Sequence, residues 1–148
     1  MDDKQLQLSS QICFPLYSAS RLITKAYKPY LEELGLTYPQ YLVLMVLWEN
    51  DGLSVSQIKE KLLLDTNTLS PLLKRMEKME ILQRNRSSKD ERSVIVQLTE
   101  SGKQLKTKAL PIPEKLISEL LSNELKIEDM LKLKDILDEL IRVLNNKS

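Results

Sequence analysis

The chain has 148 residues, 42% hydrophobic, 29% charged and 5% aromatic, with a formal net charge of +1. That length suits a single domain, 1–148, which buries roughly 70% of its unfolded surface and needs no staples. With no histidine, one cysteine and three scattered glycines, the chain excludes Ser-His-Asp and Cys-His catalysis, CxxC sites, most zinc and haem sites, and glycine-rich phosphate loops.

Enzyme chemistry is thus poorly provided for, and no cofactor is expected. The start, Met1-Asp2-Asp3-Lys4, is acidic where a signal peptide is basic. The longest apolar run, Tyr41 to Trp48, has eight residues, against the ~20 a membrane span requires. A cytoplasmic protein with a reduced Cys13 and no membrane partner is the expectation.

Apolar residues recur at three- and four-residue spacing, and about a fifth of the chain is leucine, which favours helix. A first helix is predicted from Ser9 or Ser10 to about Leu34, carrying Leu16, Ala19, Ile23, Ala26 and Leu31, with Pro15 near its first turn and Gly35 as its stop. Thr37-Tyr38-Pro39-Gln40 is a capping-box pattern opening a helix to about Asn50, apolar on nearly every face and therefore central. Ser54-Val55-Ser56-Gln57 repeats that pattern and opens a short helix to Leu62 or Leu63.

Asp65-Thr66 caps the next helix, to about Met79, which buries Leu69, Leu72, Leu73 and Met76 and shows Asn67, Ser70, Lys74, Arg75 and Lys78 elsewhere. Two short helices with a tight link, the second polar and basic outside, form a helix-turn-helix pattern. The period then changes. Ile81–Arg86 and Ser93–Leu98 are strand-compatible runs around the polar Ser87-Ser88-Lys89-Asp90, so a basic hairpin follows, as a wing would. Thr99 caps a helix to about Ser122, interrupted near Pro111 and Pro113, and a last helix spans about Ile127 to Asn145. The last helix has an apolar stripe of Met130, Leu133, Ile136, Leu137, Leu140, Ile141 and Leu144. This stripe exceeds what a small winged helix needs, and it points to dimerisation.

Charge follows the same division. Residues 1–65 carry six basic and eight acidic groups, residues 66–108 ten and five, and residues 109–148 six and eight. The positive excess lies on the helix-turn-helix and hairpin, a surface suited to phosphate.

Asp90-Glu91-Arg92, followed by Val94, Val96, Leu98-Thr99 and Gly102, resembles the D-x-R wing of the MarR family of winged-helix transcription regulators. Cys13-Phe14-Pro15-Leu16-Tyr17, Tyr27-Lys28-Pro29, Leu36-Thr37-Tyr38-Pro39-Gln40-Tyr41 and Leu69-Ser70-Pro71-Leu72-Leu73-Lys74-Arg75-Met76-Glu77 resemble its OhrR-type subgroup, one-cysteine repressors that respond to organic peroxides. The resemblance spans about residues 10–144. It implies a mostly α fold with a small β wing: a winged helix-turn-helix at 37–98, flanked by dimerisation helices at 10–34 and 103–146.

On the DNA side, the resemblance implies a homodimer that sets two recognition helices in successive major grooves of a near-palindromic, double-stranded operator. Thr66, Asn67, Thr68, Ser70 and Lys74 then lie at the leading end of the recognition helix, within reach of base edges or phosphates. Lys74, Arg75 and Lys78 read as phosphate contacts, and Arg84, Arg86 and Lys89 add attraction to the DNA backbone. Arg92 would enter the minor groove, with Asp90 orienting its guanidinium through a charge-assisted bond.

Cys13 is the implied sensor. A cysteine in the first turn of a helix has its thiolate favoured by the N-terminal partial charge, and thiolate is the form that attacks peroxide. The resemblance maps Tyr27 and Tyr38 to phenols that donate hydrogen bonds to that sulfur, with Tyr17 a secondary candidate from across the dimer. An oxidant would give the sulfenic acid. With no second cysteine in the chain, that product is capped by a low-molecular-weight thiol, cyclises to a sulfenamide, over-oxidises, or pairs with another chain's cysteine. Three other readings compete. They are a regulator responding to a small phenolic or acidic ligand, a one-cysteine thiol peroxidase, and a winged helix used only for protein interaction.

Overall fold

The computed structural model describes residues 3–147; of the acidic start, Met1 and Asp2 lie outside the described residues. Two 3₁₀ turns, Asp3–Leu6 and Leu8–Ser10, precede the first long helix, α1, Cys13–Glu32. The helix therefore begins later than Ser9 or Ser10, because extended backbone at Gln11 separates the turns from it. Pro15 is the third residue of α1, where its missing N–H leaves no ladder bond unmade. Pro29 lies inside the helix near its end, and α1 stops short of Leu34. Gly35, at φ +69°, then reverses the chain while the Leu36 N–H returns to the Leu31 carbonyl at 2.9 Å.

Helix α2, Tyr38–Glu49, carries both reciprocal bonds of its Thr37–Gln40 capping box and buries Gln40, Tyr41, Val43, Leu44 and Leu47. A two-residue strand, β1, Leu53–Ser54, leads into α3, Val55–Leu62, whose Ser54–Gln57 capping box is also complete. Leu63 adopts the left-handed conformation at φ 53° and turns the chain tightly into α4, Thr66–Lys78. The hairpin consists of β2, Leu82–Arg86, and β3, Val94–Leu98, antiparallel with Arg84 opposite Val96. β1 pairs with the other edge of β3, giving the order β1-β3-β2. The sequence gives no sign of β1, which is too short to show a period of two.

Thr99 caps α5, Glu100–Ala109, through the Gly102 N–H at 3.1 Å. The interruption near Pro111 is complete: α6, Ile112–Leu120, is a separate helix, followed by α7, Ile127–Asn145. The chain forms two compact units, one through Leu110 and one from Pro111 onward. In the first, Leu44, Leu47, Ile58, Leu69, Leu73 and Val96 are almost completely buried. In the second, α7 buries no residue, and Leu133, Ile136, Leu140, Ile141 and Leu144 of its apolar stripe are exposed. On α1 likewise Phe14, Tyr17 and Leu22 are exposed and only Leu31 is buried. No helix among the described residues is long and apolar enough to cross a membrane. Among the same residues, no group of three or more His, Cys, Asp or Glu could hold a metal ion.

Candidate DNA interface and redox site

The leading end of α4 is fixed from beneath and open above. Asp65 accepts the Thr68 N–H at 2.8 Å, and this bonding holds its carboxyl below the ordinary value. Leu69, Leu72, Leu73 and Met76 anchor the opposite face. Thr66, Asn67, Thr68, Lys74, Arg75 and Lys78 are exposed and Ser70 is half-buried, so the structure brings the recognition-helix candidates onto one open surface.

The wing tip is held by the main chain. Ser87 N–H donates to the Ser93 carbonyl at 2.8 Å, and Ser93 N–H to the Asp90 carbonyl at 3.0 Å. Here the structure corrects the sequence reading of Asp90. Its Oδ1 accepts the main-chain N–H of Arg92 at 3.0 Å and its Oδ2 the Ser93 hydroxyl at 3.4 Å. The Arg92 guanidinium takes no part. A carboxylate two residues before an N–H closes a local turn more readily than it reaches the end of a long side chain. Arg92 and Lys89 are exposed, as is Arg86, whose Nη1 lies 3.5 Å from the Glu91 carbonyl.

Arg84 needs a second correction. It is half-buried and engaged rather than free for DNA: Glu77 Oε2 accepts its N–H at 2.8 Å and Oε1 accepts its Nη2–H at 3.1 Å. These bonds hold the Glu77 carboxyl below the ordinary value. Between α3, α4 and the wing lies a cleft of about 310 Å³, lined by Lys59, Thr66, Ser70, Arg84 and Arg92 among others. With Arg84 already held by Glu77, Lys59, Arg92 and several hydroxyls are the groups that suit it to anionic oxygen.

On the redox side, Cys13 is the first residue of α1 and its thiol is exposed. Ile12 offers no side-chain cap. One turn further on, Tyr17 is exposed and lies beneath the Arg21 guanidinium, 5.1 Å from the ring centre. Tyr27 and Tyr38 are brought together, with ring centres 5.0 Å apart, and Tyr41 joins them at 5.8 and 6.3 Å. Burial pushes all three phenols above their ordinary pKa. Sequence reading missed Tyr41, although its three-residue spacing from Tyr38 on a helix was the available signal.

The cluster and the thiol are far apart. Cys13 and Tyr27 lie on one continuous helix, and fourteen residues of α-helix rise about 21 Å. Within one chain, neither Tyr27 nor Tyr38 packed against it donates to Cys13. A groove of about 450 Å³ opens beside Tyr38, with Leu31, Leu36 and Pro39 in its wall and Arg21, Lys25 and Lys28 bringing positive charge, partly offset by Glu32, which pairs with Lys28 at 3.6 Å.

A family model described as transcriptional regulator SarA/Rot matches residues 25–109. The chain is 47% identical over 143 residues to the organic hydroperoxide resistance transcriptional regulator of Bacillus subtilis, covering 97% of this chain and 95% of that one. It is 40% identical over 124 residues to the regulator SarZ of Staphylococcus aureus, covering 84% of each. Among solved structures, reduced AbfR bound to DNA, a protein of Staphylococcus epidermidis, has a TM-score of 0.80 at 36% identity and covers 99% of this chain and 98% of its own. AbfR is also known overoxidised on DNA and in a disulfide form. With the winged helix, the D-x-R wing and the lone exposed cysteine in place, the chain belongs to the MarR family of winged-helix transcription regulators, in its OhrR-type one-cysteine subgroup.

Proposed function

We propose that the protein is a homodimeric cytoplasmic repressor, not an enzyme, which holds a near-palindromic operator while Cys13 is reduced and releases it when an organic hydroperoxide oxidises Cys13. One observation carries this reading: the chain's single thiol is exposed at the first position of α1, on a polypeptide that also carries an open recognition helix and wing. The name of its Bacillus subtilis relative and the reduced AbfR bound to DNA support it. Overoxidised AbfR is also known on DNA, so release is assigned to the mixed disulfide and not to over-oxidation.

The thiolate attacks one peroxide oxygen, the O–O bond breaks, and the departing alkoxide takes a proton and leaves as alcohol. Sulfur loses two electrons and becomes the sulfenic acid. A low-molecular-weight thiol then condenses with it, releasing water and leaving a mixed disulfide. Because about 21 Å of helix separates Cys13 from Tyr27 in one chain, and Tyr38 packs on Tyr27, this reading draws the hydrogen bonds that activate Cys13 from Tyr27 and Tyr38 of the partner subunit. The groove beside Tyr38 gives the partner's helix start room to enter. The uncovered apolar faces of α1 and α7 are the surfaces on which two copies join.

Modification wedges this junction apart. DNA release follows once the oxidised state binds operator less well than the reduced one. The direct test is operator binding by purified protein with and without cumene hydroperoxide. Wild type is expected to lose affinity and Cys13→Ser to bind and ignore the peroxide; release of Cys13→Ser would refute the reading.

The basic, apolar-walled groove favours one second reading, in which a small phenolic or acidic ligand fills it and Cys13 is incidental. Mass analysis of Cys13 after peroxide treatment, set beside operator release, separates the two.

A further inference from the structure

Glu77 is an acid on a basic helix. It lies in the last turns of α4 between Arg75 and Lys78, where the helix C-terminus disfavours negative charge and bound phosphate would add repulsion. Its two oxygens are nevertheless fully used. One accepts the Arg84 main-chain N–H at 2.8 Å and the other the Arg84 guanidinium at 3.1 Å. Both bonds span the junction from recognition helix to wing, around a turn at Glu80 that takes φ 59° without a glycine. β2 is an edge strand of the sheet, so the Glu77 carboxylate substitutes for the missing neighbouring strand at Arg84. The Arg84 Nε is buried without a hydrogen-bond partner.

We infer that Glu77 is a positioning residue for operator recognition, clamping the first wing strand to the recognition helix so that α4 and Arg92 engage adjacent grooves together. Reading a specific site requires both elements in register at once, and each bond that fixes their separation lowers the ordering cost of binding. Sequence-independent binding depends mainly on counting charges against phosphates and does not need the register. Glu77 therefore opposes non-specific attraction through its charge and supports specific binding through its geometry.

The inference rests on the reading of the protein as an operator-binding regulator. The test uses reduced full-length protein, its own promoter DNA and a scrambled duplex of equal length, titrated at several salt concentrations. Glu77→Gln keeps an acceptor and loses the charge; Glu77→Ala loses both bonds. Operator affinity is expected to fall about tenfold for Glu77→Ala, and less for Glu77→Gln, while affinity for scrambled DNA holds or rises. A purely structural role would weaken both DNAs together, and a purely electrostatic one would strengthen both together. An unchanged ratio between the two DNAs, by either route or with no change at all, overturns the clamp. Wild type failing to prefer its promoter overturns the operator-binding reading itself, and the clamp with it.

Discussion

Asp90 accepts the main-chain N–H of Arg92 at 3.0 Å while its other oxygen takes the Ser93 hydroxyl. The side chain therefore shapes the wing tip from which Arg92 projects, and an amide oxygen can do the same. Asp90→Asn is expected to keep operator affinity within about twofold, and Asp90→Ala to lower it about five- to tenfold by opening the turn. Fluorescence anisotropy with labelled operator measures both. Equal damage from Asn and Ala would show that the carboxylate charge matters, as a direct bond to the guanidinium would require.

Gly102 lies where α5 meets the start of the wing. A Cβ there would stand 2.1 Å from the Ile81 carbonyl oxygen and 3.1 Å from a Leu98 methyl. The Gly102 carbonyl also receives the Trp48 indole N–H at 2.9 Å. Because the obstacle is backbone, Gly102→Ala is expected to destabilise the fold by about 1–3 kcal/mol. Urea unfolding followed by tryptophan fluorescence reads this directly, and an unchanged midpoint would contradict it.

The phenols of Tyr27, Tyr38 and Tyr41 are held neutral by burial above their ordinary pKa. An acid whose pKa is raised on folding contributes stability below its unfolded value, about 10 for tyrosine, and loses it as pH climbs through the folded value. Stability should therefore decline on the alkaline side of pH ~10. A spectrophotometric titration of the five tyrosines, assigned with single Tyr→Phe variants, is expected to show Tyr27, Tyr38 and Tyr41 ionising late. Five phenols titrating together at the ordinary value would contradict the cluster.

Local chemistry made much of the fold legible in the sequence. Thr37–Gln40 and Ser54–Gln57 mark the starts of α2 and α3 because a capping box is a three-residue pattern needing no tertiary information. The limits of α7, Ile127–Asn145, follow from its apolar period. The Glu77–Arg84 bonds could not be read this way. They depend on a left-handed turn at Glu80, a residue type that gives no such signal. At the candidate redox site, the resemblance implies Cys13, Tyr27 and Tyr38 without saying which chain each comes from. The rise of α1 holds Cys13 and Tyr27 of one chain about 21 Å apart, so a site built from all three would draw on two chains.

That division between subunits is most directly tested with heterodimers assembled from two tagged chains. In one arrangement Cys13→Ser is on one chain and Tyr38→Phe on the other. In the second, both substitutions share a chain and the partner is wild type. If each Cys13 is served by the partner subunit's Tyr38, the first heterodimer keeps one intact pairing and the second keeps none. Stopped-flow measurement of Cys13 oxidation by cumene hydroperoxide should then show a fast cysteine only when the substitutions lie on different chains. A fast cysteine only when they share a chain would mean that thiol and phenol act within one subunit, contradicting the sensor proposed for this protein.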